Sequence, residues 1–247
     1  KTRAIDKGDH WLLNGSKTYI SNGILSDLVV VAAKSDPDND RAIGLFLVER
    51  SMDGFERGQK LEKIGMHAQD TAELFFDDVV VPKENVLGDP ATGFKALTRF
   101  LAEERLMGAV RFLAQAERAF EVTLEFVKDR RVFGQSVGAF QNTRFGMASM
   151  RTELDMAQAF VDHCVLEALE GSLSADLAAE VKLATSEIQG RVVDQCVQLH
   201  GGAGYLSEYE VARLYVDARV SRIFAGSSEI MREIIGRSIG LDPRKMN

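Results

Sequence analysis

Cysteine and proline are scarce in this sequence, and long apolar runs are missing. The 247 residues include two cysteines, Cys164 and Cys196, and four prolines. Two cysteines cannot build a disulfide framework or a four-ligand zinc site, and in apolar stretches such thiols pack as small core side chains. No apolar run reaches the roughly 18 residues that a membrane span needs. The sequence therefore excludes a disulfide-stapled, a zinc-finger and a membrane-spanning protein, and we expect no metal site.

Positive charge is also in deficit. Lysine and arginine number 30 against 37 aspartates and glutamates, which gives a net charge of −7. Nucleic-acid binding is not expected, because it needs a basic surface. The chain begins at Lys1 rather than Met, and its start carries neither a signal-peptide core nor an Arg-rich presequence. We expect a soluble intracellular protein, cytoplasmic in a bacterium or in the mitochondrial matrix of a eukaryote, whose N-terminal segment is missing from this chain.

The first third of the chain has the composition of short strands. Residues 11–13 and 17–20 flank Asn14-Gly15, the dipeptide that best adopts the positive φ angles of a tight turn, so a hairpin is predicted there. Further strands are predicted at 28–33, 43–48 and 73–81. Short strands between polar turns are typical of an antiparallel sandwich or barrel, which we assign to residues 1–88.

After Pro82 the hydrophobic period becomes helical. Apolar residues recur on one helical face in 94–128, 140–169 and 174–199, which predicts three long amphipathic helices. Shorter helices are predicted near Ser207, which has capping-box spacing to Glu210, and near Ser227 or Ser228. The predicted fold class is therefore α+β, with the β-domain followed by an antiparallel helical bundle in residues 89–247.

Four local runs carry the functional signal. Alone, none matches a phosphate-binding glycine loop, a zinc motif or a nucleophile elbow. The runs are Tyr19-Ile20-Ser21-Asn22-Gly23, Arg130-Arg131-Val132-Phe133-Gly134, Gln198-Leu199-His200-Gly201-Gly202-Ala203-Gly204-Tyr205 and Phe224-Ala225-Gly226-Ser227-Ser228-Glu229-Ile230. With Asn14-Gly15-Ser16-Lys17 and Asp217-Ala218-Arg219, they closely resemble in order and spacing the flavin-dependent acyl-CoA dehydrogenase family. The resemblance covers essentially the whole chain but only the family's middle β-domain and C-terminal bundle, while its N-terminal helical domain has no counterpart here.

The resemblance implies FAD as cofactor and assigns residues to it. Tyr19, where the family more often has Trp, would stack on the isoalloxazine ring, and Ser21, in place of the commoner Thr, would bond the flavin N5 edge. Arg130 and Phe133 would meet the diphosphate and adenosine of the FAD of a neighbouring subunit. The remaining cofactor contacts implied are Gln141, Gln198, Gly201, Gly202, Ser227 and Glu229.

Each of these residues also has an ordinary structural interpretation. Tyr19 could cover the sheet at a strand end, and the arginines before Gly134 could complete a helix end. The pair Gly201-Gly202 could be only a helix C-cap, and Ser227 an N-cap. His200 is expected to pack or hydrogen-bond rather than to catalyse. Sequence alone leaves these alternatives open.

The catalytic base departs from the family's majority pattern. Most members place a glutamate immediately before the Gly-Thr or Gly-Ser of the last motif, yet this chain has Ala225 before Gly226. The long-chain and isovaleryl-type branches instead supply the Glu of a Glu-Arg pair on the first bundle helix. Glu104 in Glu104-Arg105 is the matching residue. Glu103 points about 100° away along a helix, so only one of the two carboxylates can face the flavin.

The resemblance therefore implies dehydrogenation of a long- or branched-chain acyl-CoA to the trans-2-enoyl-CoA. Glu104 would take the α-proton, and the backbone N–H of Ala225 would bond the thioester oxygen. Residues implied to contact substrate are Ser35, Glu103, Arg105, Ala225 and Gly226. The tail motifs look most like the long-chain branch, which functions in fatty-acid β-oxidation.

The resemblance also implies two kinds of partner. An electron-transfer flavoprotein would accept the electrons, and the chain would assemble as a homotetramer, a dimer of dimers. Alternatives are an acyl-CoA oxidase and a non-catalytic flavoprotein, the latter suggested by the missing acid at Ala225. A DNA-damage-associated branch is disfavoured by the net charge of −7.

Overall fold

The computed structural model describes residues 2–246. The chain divides into two compact units, Lys1–Phe100 and Leu101–Asn247. The first contains a six-stranded sheet and the second is mainly helical, which confirms the α+β class. The division falls later than the predicted 88/89 boundary because helix α1 (Gly93–Thr98) contacts strand β4 (Ile43–Glu49). The domain limits 1–88 and 89–247 stay a prediction.

The predicted sandwich or barrel takes the form of one sheet with strand order β4-β3-β1-β2-β6-β5. Its other strands are β1 (Arg3–Asp6), β2 (His10–Ser21), β3 (Leu28–Lys34), β5 (Phe55–Lys60) and β6 (Thr71–Pro82). Neighbouring strands are antiparallel except for β1 and β3. Alternate apolar residues fill the core, where Trp11 packs edge-on against Phe46 with ring centroids 5.3 Å apart.

The hairpin predicted at Asn14-Gly15 is wrong, because β2 runs through both residues as one strand. The register on β6 shifts between Leu13 and Gly15, so the dipeptide forms a bulge. Asn14 Nδ2 donates to Asp78 Oδ1 at 2.8 Å, and the Asp78 N–H donates back to Asn14 Oδ1 at 3.0 Å. A partner 64 residues away therefore supports the conformation that the dipeptide favours locally. The first hairpin joins β1 to β2 at Gly8, whose φ is 95°.

The helical unit confirms the three long periodic segments. Its helices are α2 (Leu101–Asp129), α3 (Gln141–Leu169), α4 (Ala175–His200), α5 (Glu210–Ala218) and α6 (Ser228–Ser238), with a two-stranded ribbon of β7 (Arg131–Val132) and β8 (Gln135–Ser136) between α2 and α3. The segment 94–128 is two helices rather than one, because α1 ends before α2 begins. Ser227 caps α6 as predicted, whereas Ser207 does not cap α5.

The core of the helical unit lies among α2, α3, α4 and α5. Leu154 of α3 and Cys196 of α4 are fully buried there. Ion pairs tie the outer turns together, since Arg151 forms a bidentate pair with Glu117 at 2.6 and 2.8 Å. No helix within the described residues is both long and apolar enough to cross a membrane.

Candidate active site

Tyr19 stands in solvent at a strained point of β2. Its φ of 61° is left-handed, and its side chain is 78% exposed. The register of β2 on β6 shifts between Lys17 and Ile20, so the strand is irregular at Tyr19. The left-handed conformation of a residue with a Cβ costs about 1–2 kcal/mol. Burial of so exposed a ring offsets little of that cost. Strain of this kind concentrates at functional sites, and the face of Tyr19 is accessible to a planar ligand.

Ser21, the last residue of β2, is exposed beside a turn of defined geometry. It pairs with Thr71, and its hydroxyl has no partner among residues 2–246. The buried Asp70 fixes the turn that follows. The Asp70 carbonyl accepts the Asn22 N–H at 3.0 Å, and Asp70 Oδ2 accepts the Ile24 N–H at 2.8 Å. The structure thus presents an unused hydroxyl two residues after Tyr19.

Phe133 lies at the tip of the β7–β8 ribbon. Phe133 and Gly134 have φ angles of 48° and 82°, the left-handed pair of a two-residue turn. The Phe133 ring is 95% exposed, and it lies edge-on to the ring of Phe140 with 6.5 Å between centroids. Arg130 precedes the ribbon, and its carbonyl accepts the Val137 N–H at 2.8 Å. Its exposed guanidinium has no partner in the described part of the chain, so an aromatic ring and a cation are both available near this tip.

The glycines after α4 leave their backbone open. Gly201 has a φ of 58°, and a Cβ added at Gly201 or Gly202 would meet no atom within 4 Å. Gln198 is exposed, and its carbonyl accepts the Gly201 N–H, so this is also a helix cap. Gln141, the first residue of α3, is exposed too. The cap interpretation is therefore correct for the hydrogen bond, and the open backbone still permits close approach by a ligand.

His200 packs inside the helical unit. The ring is buried and stacks on Phe126, with centroids 4.2 Å apart and planes at 23°. Its Nδ1 lies 2.8 Å from the Cys196 carbonyl oxygen, so that nitrogen carries the proton and donates. Tyr209 contacts the ring edge-on. These contacts occupy His200 structurally.

The available groups fit a flavin dinucleotide. Tyr19 and Phe133 offer aromatic faces to flat rings, and Arg130 offers a planar, always charged fork that suits a diphosphate. The backbone at Gly201 and Gly202 admits close approach without a clash. Each of these groups is exposed on its own unit, so each is accessible to a cofactor.

Glu104 lies in the first turn of α2. Its side chain and that of Glu103 are exposed, whereas Arg105 is only 7% exposed. Burial lowers the pKa of Arg105, and the negative charge of Glu104 opposes that shift. The buried Arg105 Nε has no partner among the described residues. A free carboxylate therefore stands next to a buried, incompletely paired guanidinium.

The turn before α6 has two successive left-handed residues, Ala225 at φ 52° and Gly226 at φ 94°. The Ala225 N–H has no acceptor within residues 2–246, so it is available to a ligand oxygen. Ser227 Oγ accepts the Ile230 N–H at 3.4 Å and caps the helix. Glu229 is exposed in the first turn, where backbone N–H groups and Ser227 lower its pKa. The turn thus combines a free donor with a helix N-terminus.

Sequence analysis missed Lys182, which links these two regions. It is fully buried on α4, and its Nζ donates to the Gly226 carbonyl at 2.6 Å. The charge of Arg105 is near enough to help lower the pKa of Lys182. Glu187, one turn further on, accepts from Ser228 Oγ at 2.7 Å. The available signal was a lysine on the buried face of α4, within an otherwise apolar periodic pattern.

Ser35, predicted to contact substrate, uses its hydroxyl within the β unit. The Oγ donates to the Pro90 carbonyl at 2.5 Å, and the backbone N–H donates to Ala42. The hydroxyl hydrogen is therefore committed, although lone pairs on Oγ remain. Its role toward acyl-CoA stays a prediction, as does that of Glu103.

Comparison with known families matches nearly the whole chain. The profile described as acyl-CoA dehydrogenase, middle domain, matches residues 1–79, and that described as acyl-CoA dehydrogenase, C-terminal domain, matches residues 91–240. The two profiles follow one another in the order expected from the sequence motifs.

Individual relatives agree with this result. The mouse long-chain specific acyl-CoA dehydrogenase of mitochondria is 44% identical over 245 residues, 98% of this chain and 57% of that protein. The mitochondrial isovaleryl-CoA dehydrogenase of Pongo abelii is 36% identical, over 98% of this chain and 58% of that protein. A crystal structure of an acyl-CoA dehydrogenase from Geobacillus kaustophilus superposes with a TM-score of 0.95 at 45% identity, over 98% of this chain and 64% of that one.

The chain thus spans little more than half the length of these curated relatives. Both family profiles match in sequence order, and the fold and the motifs agree with them. The chain belongs to the acyl-CoA dehydrogenase family.

Proposed function

We propose that the protein containing this chain is an FAD-dependent dehydrogenase of long- or branched-chain acyl-CoA, with Glu104 as the base. One observation carries the assignment of the base. Ala225, at the position of the family's usual glutamate, has no acid, while Glu104 offers a free carboxylate beside Arg105. Through Arg105 and Lys182, α2 is coupled electrostatically to the turn that holds Ala225. Base and oxyanion donor thus belong to one network of the helical unit.

The residues divide the chemistry as follows. Glu104 takes the proton from the α-carbon, and it must be ionised to do so. The Ala225 N–H donates to the thioester oxygen and stabilises the negative charge that grows there as the proton leaves. FAD, when bound, supplies the acceptor for the β-hydrogen, which leaves as hydride. Arg105 stays buried beside Glu104 and interacts electrostatically with its carboxylate.

Exposed groups would hold the cofactor. Tyr19 and Ser21 serve the isoalloxazine ring, by stacking and by a hydroxyl hydrogen bond respectively. Arg130, Phe133 and Gln141 serve the diphosphate and adenosine. The remaining residues proposed to contact FAD are Gln198, Gly201, Gly202, Ser227 and Glu229.

The assembly and the partners are part of the proposal. A second copy would use the ribbon tip at Phe133, whose ring is almost fully exposed. We propose a homotetramer that passes electrons to an electron-transfer flavoprotein. The names of the relatives support a long-chain substrate first and a branched one second.

The test is the visible spectrum of the FAD-loaded holoenzyme before and after anaerobic addition of a long-chain acyl-CoA. The oxidised flavin band should bleach in the wild type and persist in Glu104→Gln. Glu125→Gln, an exposed carboxylate on the same helix, should bleach like the wild type. Persistence of the band in Glu103→Gln, with bleaching in Glu104→Gln, would reassign the base.

Absence of bleaching in the wild type, across acyl chains of several lengths and with flavin bound, would refute the dehydrogenase function. Bleaching of the wild type followed by rapid peroxide formation under air would instead identify an oxidase.

A further inference from the structure

Helix α4 holds the turn before α6 from both sides. Lys182 Nζ donates to the Gly226 carbonyl at 2.6 Å. Ser228 Oγ, two residues along the turn, donates to Glu187 Oε1 at 2.7 Å. Lys182 therefore holds the Gly226 carbonyl at one end of the segment 226–228, and Glu187 holds the Ser228 side chain at its other end. We refer to this arrangement as the α4 clamp.

Burying the lysine of the α4 clamp costs free energy that an apolar side chain in the same place would not. Its side chain is fully buried, and burial lowers its pKa to about 8, with a further contribution from Arg105. Glu187 and Glu229 favour its charge only from a distance. A methionine would fill a similar volume without burying an ammonium group. The hydrogen bond to Gly226 is the interaction that accounts for a lysine here.

That carbonyl belongs to a turn that cannot relax freely. Ala225 and Gly226 both have left-handed φ angles, which for a residue with a Cβ is unfavourable. A Cβ on Gly226 would lie 2.5 Å from Met231 Cε, so the backbone is also close-packed. The Gly226 carbonyl belongs to the Gly226–Ser227 peptide, two peptide units after the Phe224–Ala225 peptide that carries the Ala225 N–H. Fixing that carbonyl limits the rotations about Ala225 and Gly226 that would turn this N–H.

Glu187 adds restraint on the other flank. It also attracts two arginines, Arg222 at 3.7 Å and Arg232 at 3.4 Å, so its carboxylate is held in place before Ser228 binds it. Charge-assisted hydrogen bonds of this kind are stronger than neutral ones. The clamp is thus built from a cation toward the carbonyl and an anion toward the hydroxyl.

We propose that Lys182 and Glu187 are positioning residues that aim the Ala225 N–H at the thioester oxygen of the substrate. The inference rests on the proposed function, because it takes Ala225 as the oxyanion donor. Neither side chain touches the substrate. Their effect on ligand binding is confined to the thioester carbonyl, because binding of the rest of the acyl-CoA does not depend on the Ala225 N–H.

The experiment compares two ligands of the FAD-loaded holoenzyme. One is an acyl-CoA with sulfur in place of the β-methylene, which keeps the thioester carbonyl but cannot be oxidised. The other is the corresponding S-alkyl-CoA thioether, which lacks the carbonyl. Dissociation constants are measured by calorimetry for the wild type, Lys182→Met and Lys182→Arg. Lys63→Met is the matched control, because Lys63 also donates to a backbone carbonyl, that of Gln69, in the β unit.

The wild type should prefer the ligand with the carbonyl. Lys182→Met should lose about tenfold of that preference, because removing an oxyanion donor altogether costs ~10²–10³ in rate and here the donor is only misdirected. Binding of the thioether should be unchanged. Lys182→Arg should recover part of the preference, and Lys63→Met should keep all of it. With the carbonyl ligand bound, amide hydrogen exchange at Ala225 should be faster in Lys182→Met than in the wild type.

A Lys182→Met variant that weakens both ligands equally, or that keeps the wild-type preference, overturns the proposal. If Lys182→Met does not fold, Glu187→Gln tests the other flank. It should lower the carbonyl preference by a smaller factor, and an unchanged preference there also overturns the proposal. The proposed function fails separately, when the wild type binds oxidisable acyl-CoA but its flavin is not reduced.

Discussion

Replacing Phe133 with asparagine should make the protein more stable and its FAD affinity weaker. Phe133 has a φ of 48°, a conformation that asparagine adopts far more readily. The strain of a bulky residue there is about 1–2 kcal/mol. Since the ring is 95% exposed, its removal sacrifices little packing. The free energy of unfolding of the FAD-free protein should therefore rise by about 1 kcal/mol.

The effect on FAD has the opposite sign. An aromatic ring stacked on a base contributes ~1–3 kcal/mol, so the dissociation constant of FAD should rise roughly 5- to 150-fold. Urea unfolding followed by circular dichroism measures the first quantity, and quenching of flavin fluorescence measures the second. Phe133→Tyr, which keeps both the ring and the strain, should match the wild type in both. Unchanged FAD affinity in Phe133→Asn would refute the reasoning, because the strain would then serve no ligand.

Three further predictions concern stability and reactivity. A Cβ added at Gly190 would lie only 3.1 Å from Cζ of the Arg222 guanidinium. Gly190→Ala should therefore stabilise the protein by about 1 kcal/mol in an Arg222→Met background and by less with Arg222 present. Urea midpoints of the four proteins decide this, and equal gains would contradict it. Lys182 has a pKa of about 8 when folded and an ordinary value of 10.5, so the unfolded chain holds more protons between these pH values. The free energy of unfolding of the wild type should therefore rise by up to about 3 kcal/mol relative to that of Lys182→Met as the pH goes from 8 to 10.5. A difference that does not change with pH would refute this prediction. Burial raises the pKa of Cys196 to about 11 and also raises that of Cys164. Iodoacetamide at pH 8 should therefore modify neither thiol before unfolding, as mass spectrometry would show. Labelling of the native protein would contradict the burial of these thiols.

Local patterns predicted the elements that depend on local interactions. The helical period gave α3 and α4 to within a residue at each end, and the hydroxyl of Ser227 marked the start of α6. Ser207 shows the limit of such a pattern. It has capping-box spacing to Glu210, yet α5 begins at Glu210 with Tyr209 as its N-cap. A capping signal fixes a helix start only where the backbone before it can adopt the required turn.

Candidate site residues could be proposed from the sequence where a motif is contiguous, and their roles stay predictions. Tyr19, Phe133 and Ala225 all lie in short runs, and the structure places each of them in a left-handed conformation. That shared strain could not be foreseen, because it depends on the bulge in β2, on the β7–β8 ribbon and on the turn before α6. Lys182 escaped prediction for a different reason, since a lysine in a helix is ordinarily solvated and its partner Gly226 is 44 residues away.

The sequence by itself determined the α+β class, the long helices and the family motifs, because these depend on period and on contiguous residues. It also supplied the proposal that Glu104 replaces the acid missing at Ala225. Only the tertiary structure decided that Asn14-Gly15 is a bulge rather than a hairpin, since its partner Asp78 comes from a distant strand. The tertiary structure likewise decided that Lys182 is buried beneath the turn before α6. The physical reason is common to both cases: the free energy that selects the conformation comes from a hydrogen bond to a residue far away in sequence, and no local pattern contains it.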